Sequence, residues 1–250
     1  MTEIPSLSHE QITALFSRPD GGYAFARWGR PIVPIVFGVE ADTLQVVKGA
    51  VEAVVALSGH KMAETDPELG ANLMIFFFRD WQELLEVPNL DQMIEGLQDL
   101  VVRLDDAGAH QYRVFRFDEA GAVRACFSFV RMSPEMADIP AETIALGQAV
   151  GMIFAWGDGA WADRSALGLV QGAAVLRPEV AALIAAGYDP VMPVAATDAS
   201  HALRLAARAA VLRENAEAAA AQMTRDVAEV ADPPLPEMPK HEAAPQDREQ

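Results

Sequence analysis

Residues 71–78, ANLMIFFF, constrain the fold of this chain more than any other segment. Apart from Asn72 the run is continuously apolar, too short for a typical helix and rich in aromatic side chains, which predicts a buried central strand. Residues 111–132 hold two runs of strand-favouring residues on either side of Glu119-Ala120-Gly121, where Gly121 can take the positive φ that a hairpin turn requires. A β-hairpin follows. Residues 30–38, RPIVPIVFG, are rich in β-branched side chains but contain Pro31 and Pro34. Proline cannot donate to a strand ladder, so this segment predicts an edge strand.

Helical signals surround these strands. Ser8 and Gln11 have capping-box spacing, with Ile12, Leu15 and Phe16 on one face before the turn cluster Arg18-Pro19-Asp20-Gly21-Gly22. Residues 42–57 carry Leu44, Val47, Val51, Val54 and Val55 at helical spacing and end at Gly59, a position suited to a left-handed cap. Residues 80–85 predict one or two helical turns, and Leu90, Ile94, Leu97, Val101 and Leu104 mark one amphipathic helix. After the hairpin, Pro140 is expected at a first helical position. Residues 179–186 predict a short helix stopped by Gly187 and by Asp189-Pro190.

Residues 197–230 are a long run of strong helix formers, capped by Thr197 or Asp198, whose apolar stripe (Leu203, Leu205, Val211, Leu212) is weak. The expected fold is α+β: a mixed sheet of about four strands backed by helices, with an α-helical C-terminal extension. The expected divisions are an N-terminal helix and turn at 1–22, the α+β domain at 23–163, an Ala-rich helical extension at 164–230 and a disordered acidic, Pro-rich tail at 231–250.

Charge narrows the partners. The 250 residues hold 36 acidic against 19 basic side chains, a net charge of −17. Phosphate backbones and anionic lipid surfaces repel such a chain, so neither nucleic acid nor membrane is an expected partner. The lone Cys126 permits no internal disulfide and no multi-thiolate zinc site; with Ala125 and Phe127 beside it, it reads as a small buried apolar residue. Without a signal-peptide pattern or an apolar run of membrane-spanning length, a cytoplasmic location is expected.

Residues 140–158, PAETIALGQAVGMIFAWGD, are patterned like the active-site helix of a zinc peptidase without its ligands. Zinc hydrolysis needs two imidazoles one helical turn apart and a carboxylate beside them. With Glu142 at the glutamate of H-E-x-x-H, Ala141 and Ala145 occupy the histidine positions. With Gly151 at the downstream glycine, Ile144, Ala145 and Gln148 stand at the first histidine, glutamate and second histidine. In that register A-L-G-Q-A-V-G-M resembles the E-L-A-Q-x-L-G-L segment of a bacterial family of uncharacterised proteins with degenerate zincin-like domains. Residues 28–38 and 70–78 resemble that family's earlier strands, so the likeness spans about residues 25–160. It implies a zincin-like fold that has lost its metal site. Gln148 then reads as a helix residue satisfying a neighbour's hydrogen bond.

No other constellation assembles a reaction. His9, His60, His110, His201 and His241 are scattered without ligand spacing, with His60 and His110 reading as polar boundary residues. Residues 64–68 lack the oxygen pattern of an EF-hand and predict a solvated acidic turn. Trp156 and Trp161 flank a glycine-containing turn and suggest either a clamp on the core or a ligand pocket. No catalytic residue, cofactor or metal is implied. The leading expectation is a non-catalytic protein-interaction or regulatory protein, its partner recruited by the C-terminal helix. The alternative is a hydrolase or small-ligand binder with a cleft between sheet and helix 140–156, lined by Glu142, Gln148, Trp156 and Asp158.

Overall fold

The computed structural model describes residues 6–231. The chain runs from α1 (His9–Leu15) through β1 (Phe25–Ala26), β2 (Pro34–Phe37), α2 (Ala41–Ser58) and β3 (Leu73–Phe78). A 3-10 helix (Trp81–Glu86), α3 (Leu90–Met93) and α4 (Leu97–Asp106) lead to the hairpin of β4 (Gln111–Phe117) and β5 (Val123–Arg131). Then come α5 (Pro134–Ala137), α6 (Ala141–Ile153), β6 (Leu167–Val170), β7 (Ala173–Leu176), α7 (Pro178–Gly187), β8 (Ala195–Ala196) and α8 (Ser200–Ala231). The architecture is α+β.

The main sheet has the order β2-β3-β5-β4, with β2, β3 and β5 parallel and β4 antiparallel to β5. Successive β3 side chains point to opposite faces. Leu73, Ile75 and Phe77 join Cys126 and Val130 against α2 and α6, which pack side by side. Phe76 and Phe78 join Phe127 and Phe129 against Trp81, Leu84 and α4. Burial on both faces is why the segment is continuously apolar: Leu73 and Ile75 are fully enclosed, each contributing about 1.5–3 kcal/mol. β2 is the edge strand that its prolines predict.

Local chemistry sets the element ends. Ser8 and Gln11 form the capping box of α1, and Gly59 closes α2 with φ 70°. Two expectations require correction. The helix expected across Leu90–Leu104 breaks into α3 and α4: the backbone turns extended at Ile94 (φ −121°), and Gly96 at φ 68° precedes the start of α4. The helix expected from Pro140 toward Asp158 starts one residue later, with Pro140 as its N-cap, and stops at Ile153. There the backbone turns extended: Phe154 bridges Arg27, and the Ala155 N–H donates to the Ala26 carbonyl. The β6–β7 hairpin was not expected; Gln171 and Gly172 turn it, both at positive φ.

Packing continues across residues 22 and 163, the expected domain limits. Ile12 and Phe16 of the N-terminal segment, Trp28, Phe154, Leu183 and Ile184 of α7, and Leu205 of α8 are buried in one cluster. The first compact unit extends to Leu212, and residues from Arg213 form a second. In the first unit, Ala202 and Leu205 of α8 are fully buried, while Ala206, Ala209 and Leu212 pack partly against the core. In the second, Glu214 to Ala219 are exposed. The tail expected at 231–250 lies outside the described residues beyond Ala231.

His201 anchors the start of α8. Its Nδ1 lies 2.8 Å from the Tyr23 hydroxyl, its ring centroid is 4.3 Å from that of Phe25, and its buried Nε2 has no hydrogen-bond partner. Burial, aided by the Arg204 charge, pushes the imidazole from 6.5 down to about 4. Burial also lowers His60. The unfolded chain therefore takes up protons between pH 6.5 and 4 that the folded chain refuses. Stability is fully present above 6.5 and lost as pH falls, by about 2–3 kcal/mol for His201. Urea unfolding at pH 7.5 and 4.5 should show this loss, and H201F should flatten it while His60 keeps its share. An unchanged slope in H201F would refute the assignment.

Candidate functional site

The four residues expected to share a cleft are separated. Glu142 is exposed in the first turn of α6, Gln148 is buried at mid-helix, Trp156 is buried beyond its end and Asp158 is exposed. Glu142 and Ile153, the last residue of α6, are about 16 Å apart along the helix axis at 1.5 Å per residue. Trp156 clamps its turn to the core: it stacks on Phe16 at 5.0 Å and donates from Nε1 to the Val150 carbonyl at 2.8 Å.

Gln148 belongs to a buried polar network between α6 and the sheet. Its Oε1 accepts from Arg113 Nη2 at 2.7 Å and from Ser128 Oγ at 2.9 Å, and its Nε2 donates to Gln111 Oε1 at 3.1 Å. Arg113 also donates to Gln111. Gly151 makes room for this guanidinium, since a Cβ there would stand 2.4 Å from Arg113 Cζ. The amide of Gln148 is thus committed to protein partners, and the glycine one turn later serves Arg113. Burial pushes the neighbouring Cys126 thiol up to about 12, against the Arg113 charge that favours thiolate. A group that remains protonated at neutral pH is no nucleophile.

The acidic turn at 64–68 is tied down rather than freely solvated. Asp66 is buried, accepts from the backbone N–H groups of Glu68 and Leu69 and from the Asn72 amide, and pairs with Arg30 at 3.3 Å. Burial raises its carboxyl, but these donors outweigh that effect and hold it at about 2. Arg30 and Arg124 also pair with Glu68, so cations of the chain itself neutralise this acidic turn. Among the described residues, no group of three or more His, Cys, Asp or Glu side chains is placed to hold a metal.

A cleft of about 550 Å³ lies elsewhere, at the carboxyl ends of the parallel strands. After β2 and after β5 the chain turns toward the α2 and α6 layer, but after β3 it turns to the opposite face, where Trp81 and Leu84 pack. This divergence leaves a hollow over the end of β3 between the first turns of α2 and α6. In open α/β sheets such a switch point is where ligands bind. Val47, Phe77, Met132 and Ile144 give it apolar walls, Thr43 supplies a hydroxyl, and Glu40 and Asp138 lie on its lining. Gly38 closes one side: at φ 79° it lies so near the end of β3 that a Cβ would be 1.8 Å from the Phe77 carbonyl oxygen.

Both helices begin here without a side-chain cap, α2 after Glu40 and α6 after Pro140. Their first-turn N–H groups carry positive partial charge, which the carboxylates of Glu40, Asp42 and Glu142 offset. A sequence signal for this cleft existed in the strand-glycine-helix transition Phe37-Gly38-Val39-Glu40-Ala41 and in the helix start at Pro140. What residue spacing could not supply was their meeting across the sheet edge. The cleft has the volume and the mostly apolar lining of a small-molecule site.

No family model, curated protein or solved structure matches this chain. Among the described residues, no helix is long and apolar enough to cross a membrane.

Proposed function

We propose that this chain is a non-catalytic cytoplasmic binding protein whose α+β domain takes a small organic ligand in the cleft over β3. The observation that carries this reading is the 550 Å³ hollow at the topological switch between the uncapped first turns of α2 and α6. Its non-catalytic character accords with the degenerate zincin-like resemblance, since Ala141, Ile144 and Ala145 offer no donor atom to a metal or to water. The hydrolase alternative would need Glu142, Gln148 and Asp158 to converge, but α6 holds Glu142 and Gln148 six residues apart and Asp158 lies beyond its end. The net charge of −17 disfavours nucleic-acid partners.

The test is a fragment screen by amide chemical-shift mapping. Binding fragments should perturb residues 38–44 and 139–144, and T43W, which fills the cleft from α2, should abolish those shifts while leaving the rest of the spectrum in place. Shifts that map elsewhere, or that survive T43W, would sink the proposal.

A second reading, recruitment of a protein partner through the C-terminal helix, is favoured by one observation. In the unit beginning at Arg213, α8 has exposed side chains from Glu214 to Ala219 and an exposed Met223. A chain ending at Leu212 that binds fragments normally yet fails to restore a deletion strain would favour this reading.

A further inference from the structure

Resting on the ligand-cleft reading, we infer that the occupant is an organic cation: an ammonium or amidinium group on a compact apolar body. The lining has an apolar part for that body in Val47, Phe77, Met132 and Ile144, and two carboxylates for the charge in Glu40 and Asp138. Neither carboxylate has a hydrogen-bond or ion-pair partner among the described residues, unlike Asp66, Glu68, Asp105, Glu179 and Asp189, which are all paired with arginine. No Lys, Arg or His is among the residues lining the cleft. The acids of this cleft are therefore open to pair with the charge of a ligand.

Two uncapped helix N-termini favour the opposite sign of ligand, and magnitudes decide between them. Each N-terminus is equivalent to roughly half a positive charge, so α2 and α6 together bring about one. Glu40 and Asp138 bring two negative charges, and Asp42 and Glu142 in the first turns add two more. The local balance is negative, within a chain whose net charge is −17. An anion entering the cleft meets repulsion, while a cation is drawn in and its apolar body displaces water from the walls. The Thr43 hydroxyl, half-buried on the same lining, accepts a further hydrogen bond from an N–H donor.

The experiment compares three probes that share one apolar body: phenethylamine, 2-phenylethanol and 3-phenylpropionate. Each is titrated against the full chain by amide chemical shifts at low and high salt. The expected result is binding at residues 38–44 and 139–144 that is roughly tenfold tighter for the amine than for the alcohol, weakens with salt, and is absent for the carboxylate. The double variant E40Q/D138N replaces exposed carboxylates by isosteric amides. It should cost the amine roughly three- to tenfold in affinity and leave the alcohol unchanged. Equal binding of all three probes at these residues, or amine binding untouched by E40Q/D138N, overturns the cationic class and leaves the cleft reading standing. Failure of all three at this cleft, while T43W-sensitive fragments are found in the broader screen, also overturns the class. Failure of probes and fragments together overturns the cleft itself.

Discussion

A chain ending at Ala196 should unfold on purification or melt at least about 8 °C below the full chain, whereas a chain ending at Leu212 should keep its melting temperature. The first end removes the turns of α8 that cover Tyr23 and Phe25. Leu205, fully buried, contributes about 2–3 kcal/mol, and loss of the His201–Tyr23 hydrogen bond adds about 1 kcal/mol. The ion pair of Arg208 with Asp189, whose Nε bond is 2.8 Å, goes as well. Newly exposed faces of Phe25 and Tyr23 bring the cost to about 4–6 kcal/mol, much of the net stability of an ordinary domain. At about 2–4 °C per kcal/mol for a domain of this size, the shift is readily measured by calorimetry. The second end keeps every buried side chain of the first compact unit. Equal melting of the two truncated chains would mean that residues 197–212 are not part of the core.

The second large effect is expected for G38A. At this position φ is 79°, a left-handed conformation that costs an L-residue about 1–2 kcal/mol. The added Cβ would also stand 1.8 Å from the Phe77 carbonyl oxygen, a backbone atom that cannot rotate away. Relief requires β2 to separate from β3 at the mouth of the cleft. The summed cost is about 3–5 kcal/mol, in the class of strained-backbone substitutions. G21A is the control: φ there is 84°, yet nothing lies within 4 Å of the added carbon, so about 1 kcal/mol is expected. Urea midpoints for the two variants separate the conformational cost from the steric one. Similar midpoints would show that the β2–β3 approach is looser than described.

The pattern of Leu90, Ile94, Leu97, Val101 and Leu104 identified a buried face correctly, and all five are buried. It nevertheless predicted one helix where there are two, because an extended Ile94 and a left-handed Gly96 redirect the backbone while side-chain spacing toward the core survives. Gly151 was legible as a special position, but its neighbour was not. Arg113 comes from β4, 38 positions earlier, and no local signal links the two. Gln148 was read as a hydrogen-bonding helix residue, and its partners Gln111, Arg113 and Ser128 follow only from strand register. The β6–β7 hairpin leaves no signal in the sequence, because its strands are four residues each and rich in alanine and leucine, too short to show a period.

What the sequence determined by itself was the set of elements whose chemistry is local. A capping box starts α1, Gly59 ends α2, prolines hold β2 to an edge, and an unbroken apolar run makes β3 a strand buried on both faces. It also determined that the helix at 141–153 holds no histidine and no cysteine. Tertiary structure alone decided that residues 164–212 complete the same core and that a cleft opens over β3. The reason is that local signals depend on residues three or four apart. The cleft depends on three strand ends and two helix starts whose lining residues span Gly38 to Ile144, and on the side of the sheet to which each strand's following segment turns. Packing of the two apolar faces settles that choice, and it is a property of the whole chain.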